Sequence, residues 1–97
     1  MNSILVIDDD RLIRQTFKTH LTSEGFDVHV ARDGNEGVRL FNDVAPSLVI
    51  LDINLPGLHG IDVLKKIREI DSKAYVIMIT AFDDMQTTVE AIKLGAF

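Results

Sequence analysis

Three short uninterrupted apolar runs constrain the fold of this chain more than any other feature: Ile4-Leu5-Val6-Ile7, Leu48-Val49-Ile50-Leu51 and Val76-Ile77-Met78-Ile79. Short β-branched runs of this kind suit strands covered on both faces, as in parallel sheets. A fourth segment, Phe26-Asp27-Val28-His29-Val30, alternates instead and reads as an edge strand with one apolar side. Each strand is followed by a segment of helical period. Ile13, Phe17 and Leu21 share one face and stop at Gly25; Asp33 and Glu36 form a capping-box pattern ahead of Val38, Leu40 and Phe41, with Pro46 closing the connection. Ile61, Leu64 and Ile67 make a third stripe with Lys65, Lys66, Arg68 and Glu69 outward, and Met85, Val89 and Ile92 make a fourth, ending at Gly95.

The order βαβαβαβα specifies an α/β domain with a parallel sheet. If the second strand is an edge, the third crosses back beyond the first, giving spatial order 2-1-3-4. Right-handed connections then put the first helix on one face and the other three on the opposite face. Three helices against one, and an apolar last strand with no charge to protect it, are features of an unfinished sheet. The expectation is a domain spanning residues 1–97 that is incomplete at its C-terminal end, with a fifth strand and helix missing after Phe97.

At 97 residues the chain allows one domain. Its net charge of −5, from 15 acidic and 10 basic residues, argues against direct nucleic-acid contact, which needs a Lys/Arg stripe. The absence of cysteine excludes disulfides, thiol catalysis and Cys-type zinc sites. Met1-Asn2-Ser3 carries no basic leader, and no apolar run approaches the ~20 residues of a membrane span, so a cytoplasmic, membrane-free location is expected. His20, His29 and His59 have no ligand spacing, and Gly34, Gly37, Gly57 and Gly60 read as turns and helix starts. Met78 and Met85 read as core filler.

Ligands of open α/β sheets bind beyond the carboxyl ends of the strands, where strand order reverses. That point lies between the first and third strands, which end in Asp8-Asp9-Asp10 and Asp52. A triple Asp after a strand is often only a helix cap and a solvated turn, and Asp10 suits the cap. Acids ending two buried strands that flank one crevice go further. Two unit charges ~5 Å apart repel by roughly 3 kcal/mol at an effective dielectric of 20, enough to raise a carboxylate pKa by about two units. A hard divalent cation relieves this, and an all-oxygen site with several waters fits Mg²⁺ best. Thr80, ending the fourth strand, completes the set.

These residues resemble the receiver domains of two-component response regulators over essentially the whole chain. The matching features are Ile4-Leu5-Val6-Ile7-Asp8-Asp9-Asp10, Leu51-Asp52-Ile53-Asn54-Leu55-Pro56-Gly57-Leu58-His59-Gly60 and Ile79-Thr80-Ala81. The tail from Thr80 to Phe97 is most similar to receivers that precede σ54-activating (NtrC-like) modules. The resemblance implies a flavodoxin-like (CheY-like) fold in which Asp52 is the phosphoacceptor. Asp8, Asp9 and Asp52 would hold Mg²⁺ together with the Asn54 backbone carbonyl. Thr80 would hydrogen-bond a phosphoryl oxygen, and the small Ala81 would leave room for the group. The implied partners are a histidine kinase or phosphotransfer protein and an output domain controlling transcription, with a homodimer through the fourth helix and strand or the open sheet edge. Such a domain regulates rather than acting as an enzyme, although it assists its own phosphoryl transfer. Receivers usually carry a Lys and an aromatic switch residue on a fifth strand, which would fall beyond Phe97, so this chain is expected to bind Mg²⁺ but hold phosphate poorly.

Two rival readings carry different expectations. Asp8-x-Asp10 after an apolar strand also resembles the nucleophile motif of haloacid-dehalogenase-type phosphatases, with Asp83-Asp84 as a late acidic pair. The other is a non-phosphorylated dimerisation module. Phe82 is read evenly as a gate over Asp52 or a helix-start staple.

Overall fold

The computed structural model describes residues 2–79. Four strands and three helices alternate in it: β1 (Ser3–Ile7), α1 (Arg11–Ser23), β2 (Asp27–Ala31), α2 (Gly34–Val44), β3 (Leu48–Asp52), α3 (Gly60–Ile70) and β4 (Val76–Ile79). The fourth helical stripe, Thr80, Ala81, Phe82 and the Asp83-Asp84 pair lie outside the described residues.

All strands are parallel, in the order β2-β1-β3-β4. The alternation of β2 is what places it at the edge, since only one of its faces carries large apolar side chains. The two faces of the sheet form separate apolar layers. Ile4, Val6, Val28 and Ile50 pack with Phe17 and Leu21 of α1. Leu5, Ile7, Val49 and Leu51 pack with Phe41 of α2 and with Ile61, Val63, Leu64 and Ile67 of α3. Helix α1 therefore covers one face and α2 and α3 the other, as right-handed crossovers require.

The helix ends follow from local chemistry. Asp10 caps α1, its Oδ1 accepting from the Leu12 and Ile13 N–H groups at 2.8 and 3.3 Å. At the other end Gly25 takes a φ of 93°, Phe26 N–H donates to Leu21 C=O and Gly25 N–H to Thr22 C=O. This paired closure needs a left-handed residue, which glycine adopts without a Cβ penalty. Asp33 Oδ1 caps α2 through the Glu36 N–H at 2.8 Å. Glu36 returns its bond one residue earlier than expected, accepting from Arg32 N–H rather than that of Asp33. Gly37 is not a turn residue. It lies within α2 against Ile7, where an added Cβ would meet Ile7 Cδ1 at 2.5 Å.

Helix α1 has no buried residue, and Leu12 is 71% exposed. Beside it a groove of about 680 Å³ runs between Ile13, Phe17 and Ile79.

Candidate functional site

The site is assembled at the carboxyl ends of β1 and β3. Their parallel register pairs Ile7 with Leu51, which brings the residues that follow, Asp8 and Asp52, to the same edge of the sheet. One carboxylate oxygen from each of Asp8, Asp9 and Asp52 lies within 4.8 Å of the others. Asp10 does not join them, because its carboxylate is spent on capping α1. The three acids differ in depth: Asp8 is 1% exposed and is the buried charged residue among those described, Asp52 is half-buried, and Asp9 is exposed.

Each acid on a strand end is tethered by the backbone ahead of it. Asp8 Oδ1 accepts the Asp10 N–H at 2.9 Å, and Asp52 Oδ1 accepts the Asn54 N–H at 3.0 Å. The sheet ladder continues past both strands, through Asp8 N–H to Ala31 C=O and Ile53 N–H to Ile79 C=O. Rigid elements thus aim the carboxylates at one point.

Burial pushes the Asp8 carboxyl above its usual range; the Asp10 N–H opposes the shift, and the charges of Asp52, Asp9 and Asp10 add to it. Asp52 is raised for the same first reason, opposed by the Asn54 N–H and reinforced by the charge and contact of Asp9. The upward direction matches the expectation, but its main cause is loss of water around the carboxylates rather than their mutual repulsion. Both causes disfavour three ionised groups in one place. A divalent cation answers both, since it replaces lost hydration and cancels like charge. An all-carboxylate donor set fits a hard ion such as Mg²⁺.

The structure also supplies residues that sequence reasoning overlooked. Arg14, one turn into α1, reaches back to the acid loop, its Nη1 donating to the Asp8 backbone carbonyl at 2.8 Å. His59 is the N-cap of α3, its Nδ1 accepting the Ile61 N–H at 3.2 Å. Gly60, the first residue of α3, lies against the backbone at the end of β3. Its N–H donates to Ile53 C=O at 2.9 Å, and a Cβ there would stand 2.5 Å from the Asp52 carbonyl oxygen and 2.6 Å from Ile53 Cα. Only a residue without a side chain lets α3 start this near the end of β3. The signal for this was present as a glycine opening a helical stripe, but the identity of its neighbour was not.

An open parallel sheet with an acidic crevice at its switch point defines the class, a flavodoxin-like α/β domain built around strand-end carboxylates. The comparisons narrow it. The sequence profile of the response regulator receiver domain matches residues 4–97. The regulatory protein AtoC of Escherichia coli is 37% identical over 97 residues, covering the whole chain and 21% of AtoC. The N-terminal domain of an uncharacterized protein from Wolinella succinogenes superposes with a TM-score of 0.93 at 38% identity, covering 100% of this chain and 78% of that one. CheY in the CheX–CheY–BeF₃–Mg²⁺ complex from Borrelia burgdorferi gives 0.91 at 34% identity, covering 98% and 73%. The chain belongs to the response regulator receiver domain family. It spans between 21% and 41% of the length of the leading curated relatives. Among the described residues no helix is long and apolar enough to cross a membrane.

Proposed function

We propose that this receiver domain accepts a phosphoryl group on Asp52 in a Mg²⁺-dependent reaction and passes the signal to an output domain. The observation that carries the reading is the graded depth of the acid cluster. Asp52 is the strand-end acid that is both fixed and half-exposed, whereas Asp8 is sealed at 1% exposure. In the transfer, a carboxylate oxygen of Asp52 attacks phosphorus and the P–N bond of a phosphohistidine breaks. The imidazole nitrogen leaves with the electron pair and takes up a proton, and an acyl phosphate remains. Asp8, Asp9, Asp52 and the Asn54 carbonyl would hold the ion. When bound, Mg²⁺ neutralises charge on the transferring group. Asn54 N–H keeps the attacking carboxylate in place. In this reading Thr80 would hydrogen-bond a phosphoryl oxygen and the small Ala81 would leave room for the group, with a histidine kinase or phosphotransfer protein as donor and transcriptional control as the output.

Support comes from the family membership and from the presence of BeF₃ and Mg²⁺ in the related CheY complex. The phosphatase alternative, with Asp8 as nucleophile, suits the geometry poorly. Asp8 is buried, and Asp10, its required acid–base partner, is engaged by two N–H groups of α1. Acetyl phosphate with Mg²⁺, followed by borohydride trapping and peptide mass spectrometry, tests the proposal. The label, however low its yield, is expected on Asp52 and absent without the metal. Label on Asp8, or persisting in Asp52→Asn, overturns it.

Self-association is a second reading, favoured by the exposure of Tyr75 and Ile77, 64% and 38%, at and beside β4. Sedimentation over a wide concentration range is expected to show a concentration-dependent dimer; a single monomeric species throughout overturns it.

A further inference from the structure

The cluster requires two consecutive residues, Asp8 and Asp9, to face one point with Asp52. Along a strand successive side chains leave opposite faces, so the backbone must turn out of strand geometry between them. β1 ends at Ile7, but the Asp8 N–H still occupies a ladder position, donating to Ala31 C=O at 3.1 Å. The carbonyl of the same residue is held differently, by Arg14 Nη1 at 2.8 Å. Arg14 N–H in turn donates to Asp10 C=O at 3.1 Å, and the Asp10 N–H donates to Asp8 Oδ1 at 2.9 Å. Asp8, Asp10 and Arg14 thus close a ring of hydrogen bonds around the Asp8–Asp9 peptide.

We propose that Arg14 is a positioning residue for the cation site, fixing the Asp8–Asp9 peptide so that both carboxylates are presented alongside Asp52 before an ion arrives. The inference rests on the reading of the acid cluster as a Mg²⁺ site. The guanidinium acts on the peptide rather than the carboxylate: Arg14 Nη1 donates to the Asp8 backbone carbonyl, whereas Asp8 Oδ1 accepts from the Asp10 N–H. This gives the test a decisive sign. If Arg14 were only a nearby positive charge, removing it would tighten Mg²⁺ binding by lifting like-charge repulsion. If it positions the acids, removing it weakens binding despite the more negative site.

Mg²⁺ titration followed by amide chemical shifts compares the wild type with Arg14→Met and Arg14→Lys. Arg14→Met is expected to lose about tenfold in affinity, the usual scale for outer-shell groups of metal sites. Without metal, its Asp10 amide is expected to exchange faster with solvent than in the wild type. Arg14→Lys, which keeps the charge and one donor, is expected to fall between the two. Unchanged or tighter binding in Arg14→Met overturns the proposal, as does an unchanged Asp10 exchange rate. Should Arg14→Met fail to fold, Arg14→Gln, too short to reach the carbonyl, serves the same comparison. A wild type that does not bind Mg²⁺ removes the cation reading itself, whereas wild-type binding matched by the variants removes only the role of Arg14.

Discussion

Asp52→Asn should stabilise the metal-free chain while abolishing its capacity to be phosphorylated. The substitution is nearly isosteric and removes one charge from a cluster whose oxygens lie within 4.8 Å of one another. At that separation each carboxylate pair repels by about 3 kcal/mol at an effective dielectric of 20. Asp9 is exposed and Asp52 half-buried, so solvent screening reduces the recoverable repulsion to about 2 kcal/mol in total. The amide still accepts from the Asn54 N–H but without charge assistance, a loss of roughly 0.5 kcal/mol. A net gain of about 1.5 kcal/mol raises the midpoint of a domain this size by about 6–12 °C. Thermal unfolding by circular dichroism at neutral pH, in chelator and in saturating Mg²⁺, is the assay. The gain should be present in chelator and shrink or reverse in Mg²⁺, because the ion stabilises the wild type through the acid that the variant lacks. If Asp52→Asn is no more stable in chelator, or gains equally in both conditions, the picture of strained carboxylates relieved by a cation is refuted.

Asp8 and Asp52 both titrate above 3.8 in the folded chain, so between that value and the raised ones the native state binds more protons than the unfolded state. Their contribution to stability therefore falls as pH rises through that window, and the stabilisation conferred by Mg²⁺ should grow over the same range; a Mg²⁺ effect largest in acid would contradict this. Gly60→Ala forces a Cβ to within 2.5 Å of the Asp52 carbonyl, and should cost about 2–3 kcal/mol in denaturant melts and shift the Asp52 and Asn54 amide resonances. Ala45, which ends α2 at φ 50°, is a non-glycine residue in the left-handed region; Ala45→Gly should stabilise by about 0.5–1 kcal/mol, seen as a higher urea midpoint at unchanged slope.

Strand-level organisation was legible because parallel strands buried on both faces leave a distinctive run such as Leu48-Val49-Ile50-Leu51, and because the alternation in β2 marks an edge. Handedness then fixed which helix covers which face. The acid cluster was legible for a related reason: Asp8 and Asp52 are the residues at which two buried strands stop, and parallel pairing brings such ends together. What the residue pattern did not disclose were contacts made by groups whose targets depend on loop paths. The guanidinium of Arg14 has many places to reach within a few ångströms, and nothing in its spacing singles out the Asp8 carbonyl. His59 as a helix cap runs against ordinary capping preferences, which favour Ser, Thr, Asp and Asn. The positive φ of Ala45 likewise has no compositional mark, since the residue that usually flags such a turn is glycine.

Helix α1, which buries none of its side chains fully, carries the Asp10 cap and the Arg14 tether that shape the acid loop. Elements with few interior contacts open first in sub-global fluctuations. Each excursion of α1 would therefore unmake the ion-binding loop as well, so an occupant that clamps the loop must slow the breathing of a helix it never touches.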